Sequence, residues 1–355
     1  MLEDIMNKHG GYKGKAAGIT DFSVNINHLG MPVRAEKKLK EAIEGLGKYP
    51  EIDGASMCSY IEKRLGMPEG SVILGNGGIE LIYLFARAIR PRTAIVVQPT
   101  FNEYKRAFEM YGCKVDEFCS KEFECFMPDM DRLADRVRSE RPAVVALCSP
   151  NNPTGVKISP KDALGAMEAA KEVGTSVLID ESFIDFSGGE SFIDLIGDYP
   201  VFVVRSMTKF YAIPGLRLGY GVGSAGIINK MKMCKEPWSV NSLSLSIIPE
   251  LFEDREYEAG TLKEYRSGKK VMLEALGEID GIKIYPSQTN FVLCRLGRGT
   301  GDMLNEHLVK RGFFVRTCKD FCGLGEDYVR IAVRGAVENR ALAESIRQYM
   351  EGREV

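Results

Sequence analysis

The sequence predicts an α/β protein built on a mainly parallel sheet, with a smaller α+β lobe assembled from both chain ends. Three observations carry this. Between about residues 70 and 225, short Val- and Ile-rich runs alternate with longer amphipathic stretches. Those runs are continuous rather than alternating, so they are buried on both faces, as parallel strands are. The flanks, by contrast, carry long charged helices around isolated strands, and 355 residues suffice for two lobes. A large domain is expected over residues 45–250, and a small one over 1–44 and 251–355.

In chain order, strands are expected at 71–74, 94–97, 144–148, 176–179 and 201–204. Helices are expected at 80–88, 103–110 and 160–173 between them. The small lobe adds helices at 256–276 and 337–350 around a strand at 290–294. Strands that alternate with helices in this way form βαβ units, and ligands bind them at the carboxyl ends of the strands.

The chain is 45% hydrophobic and 27% charged, with a formal net charge of −2. No global field recruits nucleic acid or an anionic membrane, so any bound anion must be caught by a local cluster. The first residues, MLEDIMNKHGGYKGK, contain no apolar segment of the secretory kind. No apolar run approaches the roughly 18 residues of a membrane span. A cytoplasmic protein with reduced thiols is expected. The nine cysteines include no CxxC pair, and Cys318 and Cys322 have no histidine near them in sequence. His9, His28 and His307 are far apart, so no metal site is expected.

The residues just beyond each strand carry the chemistry. Gly75-Asn76-Gly77-Gly78, before a helix, would let backbone N–H groups approach a phosphate; alone, it reads sooner as a plain strand-to-helix turn. Phe101, in Gln98-Pro99-Thr100-Phe101, would stack on a planar ring or simply fill a core. Ser149-Pro150-Asn151-Asn152-Pro153-Thr154-Gly155 holds an amide at the next strand end, a donor for a phenolate oxygen. Asp180, in Asp180-Glu181-Ser182-Phe183, needs a partner for its buried charge, and a protonated pyridine nitrogen is one. A structural cap remains the alternative. Lys209, in Arg205-Ser206-Met207-Thr208-Lys209, becomes a usable amine where burial and nearby cations lower its pKa. Ser206, Thr208 and Arg217 add phosphate donors. A phosphate cradle, a donor for a ring hydroxyl, an anion for a ring nitrogen and an amine for an aldehyde together match pyridoxal 5'-phosphate (PLP).

The blocks SPNNPTG, DESF and SMTKFYAIPGLRLGY resemble fold-type I PLP-dependent transferases of the aspartate aminotransferase superfamily. HGG (9–11), DFSVNINHLGMP (21–32), KYP (48–50) and PWSVNSL (237–243) narrow this to the threonine-phosphate decarboxylases, close relatives of the histidinol-phosphate aminotransferases. The resemblance implies a seven-stranded sheet and PLP held as a Schiff base on Lys209. It pairs Asp180 with the ring nitrogen, Asn152 with the ring oxygen and Phe101 with the ring face. It places Gly78, Ile79, Ser206, Thr208 and Arg217 on the cofactor phosphate, with Tyr49 reaching it from the other subunit of a homodimer. It gives Arg330 to a substrate carboxylate and Arg316 to a substrate phosphate, with His9 and Asn27 beside the pocket. A small phosphorylated amino acid is the implied substrate. Decarboxylation is the implied reaction, with histidinol-phosphate or aromatic aminotransferase as the alternative. The bond to Cα held perpendicular to the ring is the one that breaks, so orientation decides between them. Where many aminotransferases have a tyrosine three residues after the aspartate, this chain has Phe183, which points toward decarboxylation.

Overall fold

A computed structural model describes residues 10–353 of the chain. In order, its strands are β1 (Thr20–Asp21), β2 (Val72–Asn76), β3 (Thr93–Gln98), β4 (Lys114–Cys119), β5 (Val144–Cys148), β6 (Ser176–Asp180), β7 (Val201–Ser206) and β8 (Leu218–Gly223). Beyond them lie β9 (Ile282–Ile284), β10 (Phe291–Leu296), β11 (Phe313–Phe314), β12 (Arg316–Thr317) and β13 (Tyr328–Ala332).

Seven strands form one twisted layer in the order β2-β8-β7-β6-β5-β3-β4. Only β8 runs against the rest. Alternate residues of the same strand feed two cores, as burial on both faces requires. Val145 and Leu147 enter one, whereas Val144, Ala146 and Cys148 enter the other. The helices between the strands cover both faces.

β4 and β8 are additions to the strands expected from apolar runs. β4 lies at the sheet edge and carries Lys114, Asp116 and Glu117, so it shows no apolar run. In β8 the glycines at 219, 221 and 223 replace the usual Val and Ile. A Cβ at Gly221 would meet the Phe202 ring at 2.4 Å, and one at Gly219 would meet the Gly78 nitrogen at 2.7 Å. Close approach to neighbours therefore selects glycine there. The helix expected from Pro160 begins at Leu164, and Gly174, left-handed at φ 76°, closes it.

A second, smaller sheet has the order β12-β13-β10-β9, antiparallel throughout. Helices Arg255–Gly277 and Ala336–Met350 back it through Met272, Leu276, Leu342 and Ile346. Asp254 caps the first of these helices by accepting from the Tyr257 N–H. The N-terminal segment joins this lobe, since β1 pairs with β11 and the Ala332 N–H donates to the Phe22 carbonyl. Helix Val33–Ala42 goes elsewhere, and its Ala35 is buried in the core of the large sheet. Among the described residues no helix is long and apolar enough to cross a membrane.

Candidate active site

The carboxyl ends of β3, β5, β6 and β7 lie side by side, because those strands are sheet neighbours in that order. The end of β2 faces the same edge, since β2 and β7 both run against β8. A cavity of about 310 Å³ opens there.

Lys209 sits on the short helix Met207–Phe210 just after β7, and its Nζ donates to Ser206 Oγ at 2.9 Å. Burial lowers its pKa from the ordinary 10.5; Asp180 opposes this and Arg217 adds to it. The group is therefore closer to a free amine than a surface lysine is. Asp180, the last residue of β6, accepts from the Tyr104 hydroxyl at 2.6 Å and from the Ser182 N–H at 2.8 Å. Burial and the Asp180 charge hold the Tyr104 phenol well above its ordinary pKa, so it remains a donor.

Asn152 borders the same cavity, and its Oδ1 accepts from the Arg330 guanidinium. That contact leaves the Asn152 Nδ2 donor for a ligand. Gly78, Ile79, Ser206, Thr208 and Arg217 line the end of the cavity nearest the Gly78–Ile89 helix. Its N-cap residue, Gly77, has no side chain to cap it, and among the described residues its first N–H groups are left open to an anion. Gly77 must be glycine here, with φ at 80° and a Cβ that would lie 2.5 Å from Arg217 Nη2. A cup for a phosphate, a carboxylate for a pyridinium, an amide donor and a desolvated amine are the groups PLP requires. The residues present fit that cofactor.

A second cavity, of about 380 Å³, shares Phe101, Asn152, Phe183 and Lys209 with the first. Its far wall holds Arg316 and Arg330, which are cross-strand partners on β12 and β13. Like charges directly opposite one another repel. Arg316 is paired, through Nη2, with Asp320 at 2.7 Å. Arg330 donates to Asn152 and to the Ser23 carbonyl, and among the described residues its buried Nε has no acceptor. Burial pushes its pKa down to about 10, still high enough for a full charge near neutrality.

The expected site residues thus gather at two joined cavities, with three exceptions. Asn27 is a correction. Its amide donates to the Phe210 carbonyl, the Tyr257 hydroxyl and Thr261 Oγ1, while its Oδ1 accepts from the Leu29 N–H. Asn25 lines the second cavity instead, with a buried Oδ1 that has no donor among the described residues. Tyr49 is 86% exposed, its ring 5.3 Å from that of Trp238 and away from this chain's own cavity. His9 lies outside the described residues. Tyr104 joins the site without being among the expected residues, though its place three residues after Phe101, in the first turn of the helix that follows β3, is a signal for it.

The family model described as aminotransferase class I and II matches residues 17–346, and the chain belongs to that family. A threonine-phosphate decarboxylase of Salmonella typhimurium is 33% identical, covering 97% of each chain. An adenosylcobalamin biosynthesis bifunctional protein, CobDQ, of Leptospira interrogans is 31% identical over 94% of this chain and 39% of its own. Among solved structures, the histidinol-phosphate aminotransferase of Clostridium acetobutylicum superimposes with a TM-score of 0.88. It is 29% identical and covers 94% of this chain and 100% of that one.

Proposed function

We propose that this enzyme decarboxylates L-threonine O-3-phosphate to (R)-1-amino-2-propanol O-2-phosphate, the linker of the cobamide (vitamin B12) nucleotide loop. The observation that carries the reading is the cross-strand pair Arg316 and Arg330, facing one cavity that opens onto Lys209. Two adjacent guanidinium groups suit a substrate with two anionic ends, a carboxylate and a phosphate. Histidinol phosphate has the phosphate but lacks the carboxylate.

When bound, PLP supplies a sink for the electron pair left as a bond to Cα breaks. The chain's own residues do the rest. Arg330 and Arg316 fix the substrate by its two ends, and that orientation selects which bond is cleaved. Arg330 is itself buried, which strengthens its hold on a carboxylate. Lys209 is the proton donor to Cα once the carboxylate has left, as CO₂, without its electron pair. Phe183, beside Lys209 with its ring centroid 5.7 Å from Nζ, offers no hydroxyl to compete as a donor.

The same reading makes the enzyme a homodimer with shared sites. Ile43, Leu46, Tyr49, Ile52 and Trp238 are exposed apolar side chains, and Tyr49 is free to reach a partner's phosphate cup. Transamination of histidinol phosphate is the second reading, favoured by the likeness to the Clostridium structure. Incubation with O-phosphothreonine separates them. Stoichiometric CO₂ with the cofactor still in its aldehyde form supports decarboxylation. Accumulation of the pyridoxamine form with histidinol phosphate, without CO₂ from O-phosphothreonine, overturns it.

A further inference from the structure

On the far side of the second cavity's wall, Glu117, Cys119 and Cys322 bring one ligand atom each to within 4.8 Å of one another. We propose that these three residues bind a thiophilic divalent cation of the zinc class, and that the cation ties the loop after β12 to the edge of the large sheet.

The geometry is that of a three-ligand site. Glu117 and Cys119 are two apart on β4, so they share a face of an edge strand that has no neighbour beyond it among the described residues. Cys322 comes from a segment 205 residues later, and its thiol donates to Glu117 Oε2 at 3.0 Å. In a tetrahedral zinc site, with Zn–S about 2.3 Å and Zn–O about 2.0 Å, the donor atoms stand about 3.5–3.8 Å apart. The spacing found needs only small side-chain adjustments to reach that.

The surroundings fit as well. Glu117 Oε1 is held by the Lys105 ammonium at 2.9 Å, which turns Oε2 toward the thiols. Such an outer contact is what orients a ligating carboxylate. Two thiolates and one carboxylate would place three negative charges on a dication, and Lys105 offsets the excess. Binding releases the two thiol protons to solvent, and a water completes the fourth position. Sulfur ligands select zinc-like ions over magnesium or calcium.

The location gives the site a consequence. Two residues before Cys322, Asp320 pairs with Arg316 and accepts from Asn102 Nδ2 through its carbonyl at 3.0 Å. Phe321, between them, lines the second cavity, 5.2 Å beneath the Arg316 guanidinium. Fixing Cys322 to β4 therefore fixes the loop that aims Arg316. These contacts hold whatever substrate the cavity takes.

The test uses reduced, chelator-treated holoenzyme titrated with Co²⁺ as the probe. One equivalent per chain is expected, with thiolate-to-cobalt charge-transfer bands and tetrahedral ligand-field absorption. Cys119→Ser and Cys322→Ser should each remove the bands, Lys105→Met should weaken binding about tenfold, and Cys125→Ser should change nothing. Bound Zn²⁺ should protect Cys119 and Cys322 from alkylation, read by peptide mass. Circular dichroism checks that each variant is folded. Absence of tetrahedral bands in the native protein, their survival in the folded Cys119→Ser and Cys322→Ser variants, or unchanged alkylation with Zn²⁺ overturns the proposal.

Discussion

The Tyr104 hydroxyl donates to Asp180 Oδ2 across 2.6 Å, and both groups are buried beneath the cavity that holds Lys209. The bond joins the helix after β3 to the end of β6, so the aspartate is aimed by an element two strands away. A hydrogen bond to a charged group contributes about 1.5–3 kcal/mol. Tyr104→Phe should therefore loosen the cofactor about tenfold or more, with a matching fall in kcat and little loss of fold. Cofactor titration by absorbance checks this; binding as tight as in the native enzyme would remove Tyr104 from the site.

Lys209→Ala should abolish turnover and the visible absorbance of bound cofactor. Capture of PLP needs the neutral amine, so in the native chain its rate should rise with pH through a midpoint below 10.5. The same shift sets the sign for stability. The native cofactor-free protein binds fewer protons at Lys209 than the unfolded chain does, so this contribution to stability grows as pH rises toward 10.5. Lys209→Met should remove that slope from the melting temperature of the cofactor-free protein. A slope identical in both would show that Lys209 is not desolvated.

Particular residues show how much of the fold and site is legible in the sequence. The buried strands announce themselves as apolar runs, and the polar residues at or just beyond the ends of β5, β6 and β7 (Asn152, Asp180, Ser206) mark the site. β4 does not, because an edge strand can carry charge, and β8 does not, because close backbone contacts require its glycines. The resemblance assigns Asn27 to the pocket, whereas Asn25 is the asparagine that lines it. The difference is local: Asn27 Oδ1 accepts from the Leu29 N–H, a side-chain turn of the kind asparagine favours, and that bond swings its amide out of the pocket. The meeting of Cys322 with Glu117 depends on how the two lobes pack, which no local pattern encodes.

Gly77→Ala tests the phosphate cup. The residue has φ at 80°, unfavourable for alanine, and the added methyl would meet Arg217 Nη2 at 2.5 Å. Arg217 would be displaced from the cup, and cofactor retention after dialysis should fall at least tenfold, while strain of about 1–3 kcal/mol leaves the fold intact. Retention equal to the native chain would show that the phosphate is held elsewhere.

Phe183→Tyr tests the choice of reaction. Phe183 is 5% exposed and packs edge-on to Phe291 at 5.1 Å, close to Lys209. A hydroxyl there adds a donor next to that of Asn152, and stabilises negative charge on the ring oxygen. The pH at which the visible absorbance of the cofactor changes should fall, and the pyridoxamine by-product should rise relative to CO₂. If neither changed, the ring at 183 would have no part in selecting the reaction.

Arg330→Met and Arg316→Met divide the substrate's two ends. Arg330 is a buried cation that makes no ion pair among the described residues, so the folded chain bears its desolvation until an anion arrives. Replacing it by methionine removes that cost but leaves Asn152 Oδ1 and the Ser23 carbonyl without their donor, about 1–3 kcal/mol each. These opposing effects should leave the melting temperature nearly unchanged, while kcat/KM falls roughly a hundredfold or more through loss of the buried carboxylate contact. Arg316 is already paired with Asp320, and a substrate phosphate would share it. Its loss should act mainly on KM; inorganic phosphate should raise the melting temperature of the native holoenzyme by mass action and should no longer do so in this variant. If Arg330→Met changed only KM, or Arg316→Met kept the phosphate response, the two guanidinium groups would not hold the carboxylate and phosphate as assigned.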